Sequence, residues 1–195
     1  MQRLIWAALT LTVLGVLSAF TPTVLIPADD LTRSRTVFLI DHGTHSSVAI
    51  ETGAGQMVRY AYGDLRYYAN RDTSLGSGAA ALLWPTAATL GRAELEGPVT
   101  KESLDQQLKV VVEIIYEFEV ETAKAESVMA GLDELHAQGS AQHIDVPEYG
   151  LVFAPHPVDY FWGHNSSSVI AGWLRDMGVG VFGWGLTASW RVVDA

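Results

Sequence analysis

Cysteine is missing from all 195 residues. That excludes disulfides, thiolate-ligated zinc, iron–sulfur clusters, a lipidated cysteine anchor and a cysteine nucleophile. Positive charge is scarce as well: 12 Lys+Arg stand against 22 Asp+Glu, a formal net charge of −10. A nucleic-acid binder normally carries a basic face to replace counterions, so nucleic acid is not an expected partner. Internal repeats and low-complexity tracts are also absent. What is present is apolar material, 49% of the chain, enough for the core of one folded domain.

The apolar residues are unevenly placed. Arg3 is the single charge before Asp29, and the run from Leu4 to Phe20 is uncharged, continuing through Val24, Leu25 and Ile26 to Pro27. A basic start followed by such a run predicts a signal peptide or signal anchor over 1–27, hence export to the periplasm or the extracytoplasmic face of the inner membrane. Leu17 and Ile26 make poor cleavage contexts for Ala19 and Ala28, which favours an uncleaved anchor. The folded domain is expected over 33–195.

Within it, Thr36–Ile40 is a compact β-branched run and predicts a buried strand. Asp41–His45 predicts a polar turn. Ser46–Glu51 and Gln56–Tyr62 predict a hairpin whose loop holds Gly53 and Gly55. Gly76–Ala88 is expected to be helical up to Trp84, Gly91–Lys101 irregular, and Leu108–Phe118 a long strand. Thr122 is expected to cap a helix reaching about His136 and ended by Gly139. Ala141–Val152 predicts a loop or short strand. A helix starts near Asn165, with Val169, Ile170, Trp173, Leu174 and Met177 at helical spacing and Gly178 as its stop. Val181–Val193 predicts a terminal strand pair. Strand groups with separated helices indicate an α+β fold.

Three places carry chemistry. His42 and His45 flank the turn, with Asp64 expected at the far end of the hairpin, near His45. A histidine held by a carboxylate accepts a proton near neutral pH. The same rings, with Asp41 and His164, also fit a nitrogen and oxygen metal site, or they simply satisfy strand ends. Ser166 stands in the first turn of the last helix, where free N–H groups favour negative charge; Asn165 or a neighbouring serine is the natural cap. Tyr60, Tyr62, Tyr67, Tyr68, Tyr160, Phe161 and Trp162 line either a groove or the core.

In order and spacing the chain resembles an uncharacterised family of bacterial exported proteins, a domain of unknown function labelled after a urease gene region. Its motifs H-G-W-H-T, G-W-G-D-x-x-F-Y and T-C-N-T-W correspond to His42–Ser46, Ala61–Tyr68 and Asn165–Val169, and its helix end L-R-x-A-G to Leu174–Gly178. That family looks like a permuted papain-like fold, an antiparallel sheet packed with helices. The resemblance implies His45 as base, Asp64 as orienting group and Ser166 at the position of the nucleophilic cysteine, with no cofactor. Trp of the first motif is Thr44 here, and Trp of the helix motif is Val169. Two functions follow. One is an exported hydrolase or acyltransferase on an envelope amide or ester, catalysed by Ser166, His45 and Asp64 with His42, Tyr62, His164 and Asn165 as binding residues. The other is a catalytically silent envelope binding module on the same fold. A His/Asp metal-binding protein is the third reading.

Overall fold

The structure, a computed structural model, describes Trp6 and residues 21–72 and 84–193. Its centre is a seven-stranded sheet in the order β6-β2-β3-β4-β5-β8-β7, antiparallel at every pairing. The strands are β2 (Ser34–Asp41), β3 (Ser46–Glu51), β4 (Met57–Asp64), β5 (Thr86–Leu95), β6 (Ile114–Glu121), β7 (Ile144–Val146) and β8 (Leu151–Tyr160). A second sheet has β1 (Thr23–Ile26) between β9 (Gly180–Phe182) and β10 (Trp190–Val192). The helices are α1 (Lys101–Gln107), α2 (Thr122–Gln138) and α3 (Ser166–Asp176). The fold class is therefore α+β, with one large antiparallel sheet and few helices.

Side chains alternate across a strand, and directly paired residues share a face. On one face Leu39, Val48, Ile50, Tyr60 and Leu90 pack against Leu132 of α2 and Ile170 and Leu174 of α3. On the other, Phe38, Ile40, Ala49 and Met57 meet Leu104 of α1, while Ala61, Leu151 and Phe153 form a separate small cluster. The sheet is thus covered on both faces, which explains why β4 is buried along its whole length.

The hairpin of β3 and β4 stands where the sequence places it, with Gly53 and Gly55 at φ +83 and +74. Helix α3 also starts as expected. Asn165 accepts from the Ser168 backbone N–H, and the Ser168 hydroxyl bonds back to the Asn165 backbone. Gly178, at φ +92, ends the run.

Four expectations need correction, and one strand goes beyond them. Gly91–Lys101 is irregular only over 96–100: Gly91–Leu95 belongs to β5, where ladder pairing outweighs the weak β preference of its small residues, and Lys101 opens α1. Leu108–Phe118 is strand only from Ile114 onward. Thr122 is the first residue of α2 rather than its cap, and the Glu121 that precedes it makes no side-chain cap bond. β8 escapes the sequence reading because Pro155 and Pro157 interrupt its pattern. The terminal strands β9 and β10 do not pair with each other; both pair with β1. The helix expected over Gly76–Trp84 falls mostly outside the described residues.

β1 lies within the stretch read as leader. Leu25 is completely buried in the main core, and the Thr23 hydroxyl accepts from the Gly185 N–H at 3.1 Å.

Candidate functional site

A cavity of about 200 Å³ opens on the sheet face away from α3. Its lining includes His42, His45, Arg59, Tyr68, Tyr149 and Phe153. Parity places them. Arg59 pairs with Ala49, two residues beyond Ser47 on the same face, and Ala61 pairs with Ser47 itself. Gly63 shares that face: a Cβ there would stand 2.4 Å from the Tyr68 ring, so the missing side chain is what seats Tyr68.

Arg59 is the centre of the site. It is 3% exposed, and its three nitrogens donate to neutral acceptors: Nε to Ser47 Oγ at 3.1 Å, Nη1 to the Tyr149 carbonyl at 3.2 Å, and Nη2 to His42 Nε2 at 3.3 Å. Among the described residues no carboxylate forms an ion pair with it, although Arg35, Arg66, Arg71, Arg92 and Lys101 all have one. Burial alone lowers its pKa to about 10, so it stays charged at neutral pH.

The His42 network fixes its tautomer. Nδ1 lies 2.8 Å from the Val111 carbonyl, which can only accept, so Nδ1 carries the proton. Nε2 is then the acceptor for Arg59 and for the Ser47 hydroxyl at 3.0 Å. Burial, with the Arg59 charge beside it, lowers the His42 pKa to about 4. His45 packs its ring on Tyr68 at 4.6 Å between centroids and lies 6.1 Å from His42. Its Nδ1 is buried without a hydrogen-bond partner, and burial followed by His42 and Arg59 holds its pKa well below the ordinary range. Both imidazoles are neutral at pH 7.

The sequence-predicted residues divide between the two faces. His42, His45 and Tyr62 border the cavity; Asp64, His164, Asn165 and Ser166 do not line it. Tyr62 directs its hydroxyl elsewhere, donating to the Val158 carbonyl at 3.0 Å and meeting His164 Nδ1 at 2.9 Å. Asp64 caps the single π-helical turn Leu65–Ala69: it accepts from the Tyr67 N–H at 2.6 Å and from the Thr86 hydroxyl. Asn165 uses its Nδ2 to tie the Trp162 and Leu186 carbonyls together, at 2.7 and 2.9 Å. Ser166 is buried at the start of α3, four residues before Ile170, which packs in the core with Val48 and Ile50. The strand position that looks toward that face is Ser46, which accepts from Trp190 Nε1 at 2.9 Å; His45 is one residue earlier and turns the opposite way. His45 lines the cavity with Arg59 and Tyr68, and Ser166 does not.

Among the described residues no group of three or more His, Asp or Glu side chains is arranged to hold a metal ion. Sequence reasoning missed Arg59, Ser47 and Tyr149. The signal for Arg59 was available: an arginine amid Met57, Val58, Tyr60, Ala61 and Tyr62, in a strand otherwise fit for burial.

No protein-family model matches the chain, and no curated protein and no solved structure matches it.

Proposed function

We propose that this protein is a binding module of the cell envelope, taking a small molecule into the cavity beside His42, His45 and Arg59 without chemically transforming it. The observation that carries this reading is that, of the expected triad, His45 lines the cavity while Asp64 and Ser166 do not. A general base works within hydrogen-bond reach of the proton it takes. His45 lines the cavity and Ser166 does not, and Asp64 spends its carboxylate on a helix cap and a threonine. What remains is a concave, aromatic-walled site with a few convergent polar groups, the usual form of a ligand pocket.

The permuted papain-like ancestry belongs to the same proposal. It is supported by the order of the parts, a histidine hairpin early and a serine-opened helix late, packed on one antiparallel sheet. On this reading the frame persists and the chemistry does not. The apolar segment read as signal peptide or anchor over 1–27 holds the module at the extracytoplasmic face.

The test uses the full-length chain in uncharged detergent micelles. A fluorophosphonate probe should leave Ser166 unlabelled. A small-molecule extract of bacterial envelopes should shift the imidazole NMR signals of His42 and His45, and the shift should be lost in Thr44→Trp, which plugs the mouth of the cavity. Labelling of Ser166 that disappears in His45→Ala would establish the hydrolase instead.

A further inference from the structure

We infer that the cavity is built for the carboxylate of a small, otherwise apolar molecule, with Arg59 as its counter-ion and His45 as a second donor. This rests on the binding reading above and names the chemical class that the site would take.

The first ground is an imbalance of charge. A buried ion costs several kcal/mol unless it is paired, and proteins rarely leave a guanidinium inside without an anion. This chain has ten more acids than bases, and its six described cation–carboxylate pairs lie where both partners reach solvent. Arg59, the most enclosed cation of the set, has only neutral acceptors. Among the described residues this buried charge has no anionic partner.

The second ground is donor counting. A guanidinium has five N–H groups. Three are used, on Ser47, Tyr149 and His42, so two remain, one on each Nη. Two N–H groups match the two oxygens of one carboxylate. His45, another wall of the cavity, has a buried Nδ1 with no hydrogen-bond partner among the described residues. In the neutral tautomer protonated at Nδ1 it donates to the same anion.

The third ground is the identity of the remaining wall. His42 is fixed as an acceptor by Val111 and stays neutral, so it adds no second charge. A single net positive charge suits a monoanion better than a phosphate dianion. Tyr68, Tyr149, Leu151 and Phe153 then face the rest of the ligand. Tyr68 keeps its phenol protonated, because burial raises its pKa.

Benzoate is a fitting probe, with benzamide as its uncharged isostere. In the full-length protein in uncharged micelles, benzoate should shift the His45 ring signals and bind at least about ten-fold tighter than benzamide, the scale expected of one charge-assisted bidentate contact. Arg59→Met should abolish that preference while remaining folded by circular dichroism, since an apolar side chain of similar length relieves the buried charge. Should Arg59→Met not fold, the benzoate-to-benzamide ratio on the wild type decides alone. Equal binding of the two probes overturns the carboxylate assignment and leaves the binding reading standing. So does silence toward benzoate while the envelope extract still shifts the ring signals. Silence toward both removes the binding reading and this inference with it.

Discussion

His42 Nε2 receives Arg59 Nη2 at 3.3 Å, and the Ser47 hydroxyl bridges the two by accepting from Arg59 Nε and donating to the imidazole. A histidine held this way cannot take a proton at Nε2 without turning an N–H toward a guanidinium. His42 is therefore a fixed acceptor that positions Arg59.

That fixity makes stability pH-dependent. Above pH 6.5 neither folded nor unfolded chain protonates His42, and the ring contributes nothing. As pH falls below 6.5 the unfolded chain binds a proton that the folded one refuses until about pH 4, so stability is lost across that window. His45 acts in the same direction. Asp41, whose pKa is raised by burial and to a lesser extent by Glu113, acts in the opposite one, gaining stability as it protonates. The His42 share is about 2 kcal/mol between pH 7 and pH 5. Urea melts at the two pH values should show a drop in the wild type and a smaller one in His42→Gln; equal drops would refute the assignment.

Asn165 is predicted to matter for folding and not for chemistry. Its side chain caps α3 and joins the 162 and 186 loops. Asn165→Ala should cost about 2–3 kcal/mol, read as a lowered denaturant midpoint with unchanged m-value. Ser166→Ala should leave benzoate binding as it is, which isothermal titration would measure.

Gly91→Ala should perturb the cavity from beneath. A Cβ at this position would lie 2.7 Å from the Phe153 ring, and Phe153 is a wall of the pocket. The expected loss is about 1–3 kcal/mol with a displaced aromatic signal for Phe153. An unchanged melting curve and spectrum would show that the contact is easily relieved.

Truncation separates the leader from the fold. A chain beginning at residue 28 lacks β1, the strand that β9 and β10 share, and loses the fully buried Leu25. Its thermal midpoint should fall below that of a chain beginning at residue 21. Equal midpoints would mean that β1 is dispensable. The same comparison bears on processing: a cut after Ala28 removes the strand, and one after Ala19 keeps it.

Much of the local structure was legible because local rules govern it. The Thr36–Ile40 run, the glycine-closed hairpin and the Asn165 start of α3 follow from β-branched content, positive φ and capping, each decided by neighbours in the chain. β5 and β8 were not legible. Their small residues and prolines carry little strand preference, and the ladder on either side supplies what the sequence lacks. β1 was hidden for another reason, since an apolar strand adjoining an apolar leader has no boundary in composition.

The same division runs through the site. Residue types and spacing alone say that no thiol acts here, that His42 and His45 share a turn, and that Ser166 opens a capped helix. Which of them meet is set by the fold. A strand's two faces differ by a single residue, so the step from His45 to Ser46 sends one side chain toward Arg59 and the next toward Trp190 and the layer of α3. Spacing along the chain does not record that choice; the register of β3 against β2 and β4 does.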